Sequence, residues 1–182
     1  VDLACWVAFG IKSLLEIYQL LDVRCCQLQK IKFIHMHRKV RSAIDHLHWD
    51  GQREISSDTT ISDDGDLVFT QHRGYVNLFP LLFGFIEKDS PRLKGTLDLI
   101  EDRTALWTDY GLRSLALDDP YYMNGDQYWT GPIWININYL VLRALKSYYM
   151  DLEGPYYEQV KRIYDTLRTN IIENMTSAFE KT

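Results

Sequence analysis

Apolar side chains recur at helical spacing from the first residues of the chain. Leu3, Trp6, Val7, Gly10, Leu14, Ile17, Tyr18 and Leu21 form one stripe, which predicts an amphipathic helix over residues 3–21, about 30 Å long. The pattern is under way at residue 3 without a leading cap and reads as the interior of a larger protein. Asp2 and Lys12 interrupt the apolar run over residues 1–15, so neither a signal peptide nor a membrane span is expected there. Over residues 23–47 the stripe is weaker. Ile34, Val40, Ile44 and Leu47 can share a face, with Arg24, Lys30, Lys32, Arg38, Lys39 and Arg41 on the remainder. That remainder reads better as a solvated helix face than as a basic patch for RNA.

Residues 50–66 are rich in Asp, Ser, Thr and Gly and read as a loop. Asp63-Asp64-Gly65-Asp66 lacks the alternating ligands and closing Glu of a calcium loop and reads as a turn. A short extended piece is expected at Leu67-Val68-Phe69-Thr70. Residues 75–86 are strongly apolar and predict a short buried helix with Pro80 near its first turn. Ser90 then caps, and Pro91 opens, a helix with Leu93, Leu97 and Ile100 on one face. Residues 106–127 have no long period and carry Asp118-Asp119-Pro120 and Asn124-Gly125, which are loop chemistry. A long helix is expected from Pro132 or Ile133 to Tyr149. Gly154-Pro155 breaks it, and residues 156–174 follow with Val160, Ile163, Tyr164, Leu167 and Ile171 in register. About six helices result, without the fixed-period repeat of a solenoid. The expected fold class is all-α, with helix pairs carrying functional loops, an α/α toroid or part of one.

A chain of 182 residues with 46% hydrophobic and 25% charged residues reads as one soluble globular domain. Its net charge of -5 gives no reason to expect nucleic acid or an anionic membrane. Cys5, Cys25 and Cys26 offer no disulfide framework and no zinc spacing. The two His-x-His pairs, His35 with His37 and His46 with His48, diverge on a helix, so no metal site is expected. No cofactor is expected either. Asn174-Met175-Thr176 fits the N-glycosylation acceptor pattern and would need a lumenal or secreted location to be used.

The five Trp and twelve Tyr lie largely in the second half. Packing is the default reading of each, and Trp6, Phe79 and Tyr164 are expected in the core. The stretch from Tyr128 to Leu145 reads differently. Trp129 and Trp134 flank the Gly131-Pro132 turn, and Asn136 and Asn138 follow at the mouth of a helix. Flat rings cover the C–H faces of a sugar and amides pair with its hydroxyls, so a carbohydrate site is expected here. Asn136 and Asn138 cannot face the same way on a helix, so at most one should reach the ligand while the other caps or faces solvent. Arg113 is either a sugar contact or half of a buried ion pair holding its loop.

Three stretches carry a family resemblance: Gly74-Tyr75-Val76-Asn77-Leu78-Phe79-Pro80, Tyr110-Gly111-Leu112-Arg113-Ser114-Leu115, and residues 128–140, Tyr128-Trp129-Thr130-Gly131-Pro132 to Leu140. With Val1-Asp2-Leu3-Ala4-Cys5-Trp6-Val7 and Leu47-His48-Trp49, in this order, they resemble the mannosyl-oligosaccharide glucosidases of glycoside hydrolase family 63. The match is strongest over residues 66–175 and the first twenty or so, and weak over 23–66. The resemblance implies that residues 1–182 are part of an (α/α)6 toroid catalytic domain, truncated at both ends. It implies an inverting α-glucosidase that removes the terminal α-1,2-linked glucose from the triglucosylated N-glycan precursor in the endoplasmic reticulum. The membrane anchor would lie in the parent protein, outside this chain. The principal catalytic acid and base would lie outside it too, leaving the isolated chain inactive. Asp2 matches an acidic motif implicated in activity, although the Glu of that motif has no counterpart. Arg113, Trp129, Gly131, Trp134, Asn136 and Asn138 fall in stretches resembling substrate-facing loops. Thr130 stands where the family usually has Arg, which removes a guanidinium. The competing expectation is a non-catalytic helical module that binds glycan or protein on the same scaffold.

Overall fold

The computed structural model describes residues 1–21 and 27–180, so Arg24, Cys25 and Cys26 lie outside the described residues. Helix α1 (Asp2–Leu20) and helix α2 (Gln27–Leu47) pack as a hairpin. Tyr18 meets Phe33 at 6.1 Å near one end, and Cys5 lies near Arg41 and Asp45 at the other. The buried side of α1 is not the predicted stripe. Cys5, Ala8 and Ile11 are buried, and burial pushes the Cys5 thiol up to about 12. Leu3, Leu14, Ile17 and Leu21 are exposed, because small residues let α1 approach α2 and the next segment closely while no described residue covers its large apolar side. By length and composition α1 is apolar enough to cross a membrane, which Asp2 and Lys12 alone do not exclude. On α2, Ile44 is buried but Leu47 is exposed.

The region expected to be a loop holds two hairpins. Strand β1 (Trp49–Asp50) pairs antiparallel with β2 (Ile55–Ser56), and β3 (Thr59–Ile61) with β4 (Leu67–Phe69). Asp50 closes the first turn by accepting from the Gln52 and Arg53 amides at 2.9 and 3.2 Å and from Arg53 Nε at 2.6 Å. A side chain bonding its own backbone two or three residues on is what makes such composition look like loop. A third ribbon pairs β5 (Trp107–Thr108) with β6 (Gly111–Leu112). Helices dominate, with these three short two-stranded ribbons between them.

The core is built around residues 75–86, a 3₁₀ turn (Tyr75–Leu78) running into α3 (Phe79–Leu82). Pro80 sits in the first turn of α3, where its missing N–H costs nothing. Leu78, Leu81 and Leu82 are fully buried, and α4 (Pro91–Glu101) adds Leu93, Leu97 and Ile100. Ser90 caps α4 by accepting from the Arg92 amide at 3.2 Å. Helix α5 (Ile135–Ala144) packs on α3 and continues as a π turn (Leu145–Tyr149), so the long helix expected from Pro132 begins later and changes winding near its end. Helix α6 (Tyr157–Glu180) closes the core with Val160, Ile163, Leu167 and Ile171. Phe79 is buried and Tyr164 half-buried, whereas Trp6 is 48% exposed, edge-on to Phe83 at 4.7 Å.

Candidate functional site

The site is held by a buried polar node at the start of α5. Asn138 is fully buried. Its Oδ1 accepts from the Leu112 amide at 2.7 Å, and its Nδ2 lies 2.9 Å from the Trp134 carbonyl and 3.1 Å from both the Leu112 carbonyl and the Tyr75 hydroxyl. Tyr75 donates to the Leu112 carbonyl and accepts from the Trp134 amide at 3.0 Å. Burial pushes the Tyr75 phenol up to about 12, so it stays a neutral donor. Three distant segments, residues 75, 112 and 134–138, are thereby locked together. A buried polar group so fully partnered specifies geometry, because each alternative packing leaves part of it unpaired.

Against this node stands an aromatic wall. The Trp129 and Trp134 rings lie 4.8 Å apart at 32°, and Tyr128 meets them edge-on at 5.1 and 4.9 Å. Trp134 Nε1 donates to the Tyr128 carbonyl at 3.2 Å, while Trp129 remains 62% exposed. The strap bearing Trp129 is tied down by Ser114, whose hydroxyl donates to the Trp129 carbonyl at 3.2 Å and accepts from the Gly131 amide at 2.9 Å. Gly131 has φ +146°, and a Cβ there would sit 2.8 Å from the Tyr122 ring. Gly74 is needed for space: a Cβ would come within 2.6 Å of the Ser114 carbonyl, against which the strand bridge from Gly74 to Leu115 is pressed.

A cleft of about 340 Å³ opens along this wall, at the lower end of small-ligand sites. Asp2, His72, Ser114, Trp129, Trp134 and Asn136 supply its polar and aromatic lining, and Tyr75, Phe79 and Ile137 are among the residues behind them. His72 is braced by Asp119, Nδ1 to Oδ2 at 2.8 Å. Such a lining can stack one face of a pyranose on indole and offer its hydroxyls an amide, a carboxylate and a ring nitrogen.

Of the residues singled out from sequence, Asp2, Trp129, Trp134 and Asn136 come together. Three others do not line the cleft. Asn138 neither caps nor faces solvent but is the buried node. Gly131 shapes the strap. Arg113 is buried and does not line the cleft, and no carboxylate pairs with it among the described residues. Its guanidinium donates to the Arg103 and Trp107 carbonyls at 3.3 and 3.0 Å and lies 5.8 Å from the Tyr122 ring centre. Loop carbonyls are good acceptors for a fork of donors, so a carboxylate is not required. Thr130 turns inward, donating to the Asn124 and Asp126 carbonyls at 3.3 and 3.2 Å, and closes its own turn. Sequence reasoning missed His72 and Ser114 as lining residues; the only signal was their place beside or within the quoted stretches. Asn174 lies on α6, away from the cleft. Among the described residues no group of three His, Cys, Asp or Glu could hold a metal ion.

The whole chain, residues 1–182, matches the glycosyl hydrolase family 63 C-terminal domain. It is 40% identical over 135 residues to the probable mannosyl-oligosaccharide glucosidase of Schizosaccharomyces pombe, covering 74% of this chain and 17% of that protein. It is 32% identical over 187 residues to the mannosyl-oligosaccharide glucosidase of Saccharomyces cerevisiae, covering 100% of this chain and 22% of that protein. The chain thus spans about a fifth of the length of these relatives. A crystal structure of the family 63 mannosylglycerate hydrolase from Thermus thermophilus in complex with glucose shares the fold, with a TM-score of 0.65 at 19% identity over 91% of this chain and 36% of that one.

Proposed function

Because this chain belongs to glycosyl hydrolase family 63, matched over its whole length, we propose that it is part of a mannosyl-oligosaccharide glucosidase. The enzyme removes the terminal α-1,2-linked glucose from the triglucosylated N-glycan precursor, in the lumen of the endoplasmic reticulum, within an (α/α)6 toroid. The observation that carries this reading is the convergence of Asp2, Trp129, Trp134 and Asn136, far apart in sequence, on one cleft. The substrate is the N-linked oligosaccharide of a glycoprotein, with no nucleic acid and no cofactor, and a membrane anchor belongs to the parent protein.

In this reading the Trp129 and Trp134 faces cover the C–H face of a glucose ring, excluding water from one side and fixing its tilt. Asn136 and Asp2 then hold hydroxyls, with Asp2 as acceptor and Asn136 as donor and acceptor. Inverting hydrolysis needs one carboxylic acid to protonate the leaving oxygen and one carboxylate to activate water, roughly 6.5 to 9.5 Å apart. Asp2 is the one carboxylate among the lining residues. It supports catalysis by holding substrate, and the principal acid and base come from other segments of the enzyme.

The test is to supply the protein carrying this chain with the triglucosylated oligosaccharide and to follow the released sugar by proton NMR. One glucose per glycan, appearing first as the β-anomer, is expected. Binding without release would favour the non-catalytic module, and an α-anomer would overturn the inverting mechanism.

A further inference from the structure

The N-glycosylation pattern at Asn174 is not absorbed by the cleft, and its surroundings are specific. Asn174 lies in the last turns of α6, flanked by exposed Glu173, Met175 and Thr176. It borders an open hollow of about 370 Å³ lined also by Asp109, Tyr110, Glu173, Ser177 and Ala178. Tyr110 stands at the tip of the β5–β6 hairpin, 62% exposed, with its amide held by Thr108 Oγ1 at 3.0 Å. The hairpin is docked on α6 by Asn170 Nδ2, which donates to the Thr108 carbonyl at 3.2 Å, and Asn174 Nδ2 points at the Tyr110 carbonyl from 3.5 Å.

From this arrangement we propose that Asn174 carries an N-linked glycan whose first sugar ring is sheltered by Tyr110. The proposal rests on the lumenal reading above. The donor is an oligosaccharide on a lipid pyrophosphate. Asn174 Nδ2 bonds to C1 of the sugar, the bond from C1 to the pyrophosphate oxygen breaks, the lipid pyrophosphate leaves, and Nδ2 gives up one proton. The amide keeps its second N–H, still free to donate to the Tyr110 carbonyl, so modification and the hairpin contact are compatible. The attached ring then lies over the hollow beside the Tyr110 face, an arrangement aromatic rings favour with C–H groups.

The order of events follows from the helix. In folded α6, Thr176 Oγ1 donates to the Ile172 and Glu173 carbonyls, and side chains two apart on a helix diverge. The Asn and Thr of the pattern cannot act together in that state. Modification therefore precedes closure of α6, while the segment is still extended.

The experiment is to express the full protein carrying this chain through a eukaryotic secretory pathway, with a reporter acceptor site appended at its C-terminus. Peptide mass spectrometry then reads occupancy at Asn174. A glycan there, lost in Asn174→Gln and Thr176→Ala and retained in Thr176→Ser, is the expected result. An unmodified Asn174 beside a modified reporter overturns the proposal and leaves the lumenal reading standing; an unmodified reporter overturns both. For the shelter, Tyr110→Ala should keep occupancy while peptide-N-glycosidase releases the glycan from folded protein several-fold faster. An equal rate would remove Tyr110 from the proposal.

Discussion

Replacing Asn138 by Ala tests whether one buried amide assembles the site. The substitution leaves the Leu112 amide without an acceptor in a fully buried position, at about 1–3 kcal/mol, and removes Nδ2 bonds to Trp134, Leu112 and Tyr75 worth about 0.5–1.5 kcal/mol each. Nδ2 has only two hydrogens, so about two of those bonds count at a time, and the expected loss is about 4 kcal/mol. Tyr75→Phe should cost about 2 kcal/mol, since it strips the acceptor from the Trp134 amide and the donor from the Leu112 carbonyl. Because Tyr75 and Asn138 share partners, the double variant should cost less than the sum by about 1 kcal/mol. Urea unfolding of the protein carrying this chain, followed by tryptophan fluorescence with a common slope, measures all three. A loss under about 1 kcal/mol for Asn138→Ala, or strict additivity with Tyr75→Phe, would refute the node.

Further outcomes follow from the same geometry. Gly131→Ala forces a Cβ at φ +146° toward Tyr122, so it should cost about 1–3 kcal/mol and raise KM by displacing the Trp129 strap, as thermal melts and substrate titration would show. Arg113→Ala should lower the melting temperature and leave KM unchanged; a raised KM at constant stability would return Arg113 to the substrate. Acid should destabilise the fold through Asp50 and Asp102. Burial raises both carboxyls, but bonds from Arg53 and the Gln52 amide, and from Thr104 with the charge of Arg73, outweigh it and hold both below the ordinary range. Their contribution is complete above about pH 4 and is lost as pH falls through the lower folded values. Asp50→Asn should flatten that decline in acid unfolding curves; an unchanged slope would show that its bonds contribute little.

The helices were legible because apolar spacing and capping residues act locally. Ser90 with Pro91, the apolar run around Pro80 and the register of α6 needed no tertiary information. The face of α1 was not legible, because periodicity identifies an apolar stripe and not which side meets a neighbour, and small residues won the close packing. The hairpins at residues 49–69 were hidden by Asp and Ser side chains that bond their own turns. At the site, Trp129 and Trp134 stood out because a Gly-Pro turn separates them. Helical divergence showed that Asn136 and Asn138 must part, but the buried one could be identified only once Leu112 and Tyr75 were brought beside it. Arg113 misled for a similar reason, since the carbonyls of Arg103 and Trp107, invisible as partners in sequence, take its two terminal nitrogens.

In the proposed function the exposed Trp129 face binds the glucose to be removed. Trp129→Ala takes away a ring that is 62% exposed but packs on Trp134 and Tyr128, so stability should fall by no more than about 0.5–1.5 kcal/mol per ring pair, while kcat/KM for release of the terminal α-1,2-linked glucose should fall about tenfold or more. That loss with only a small drop in melting temperature is expected; wild-type kcat/KM in the Trp129→Ala protein would show that the glucose does not lie on this ring.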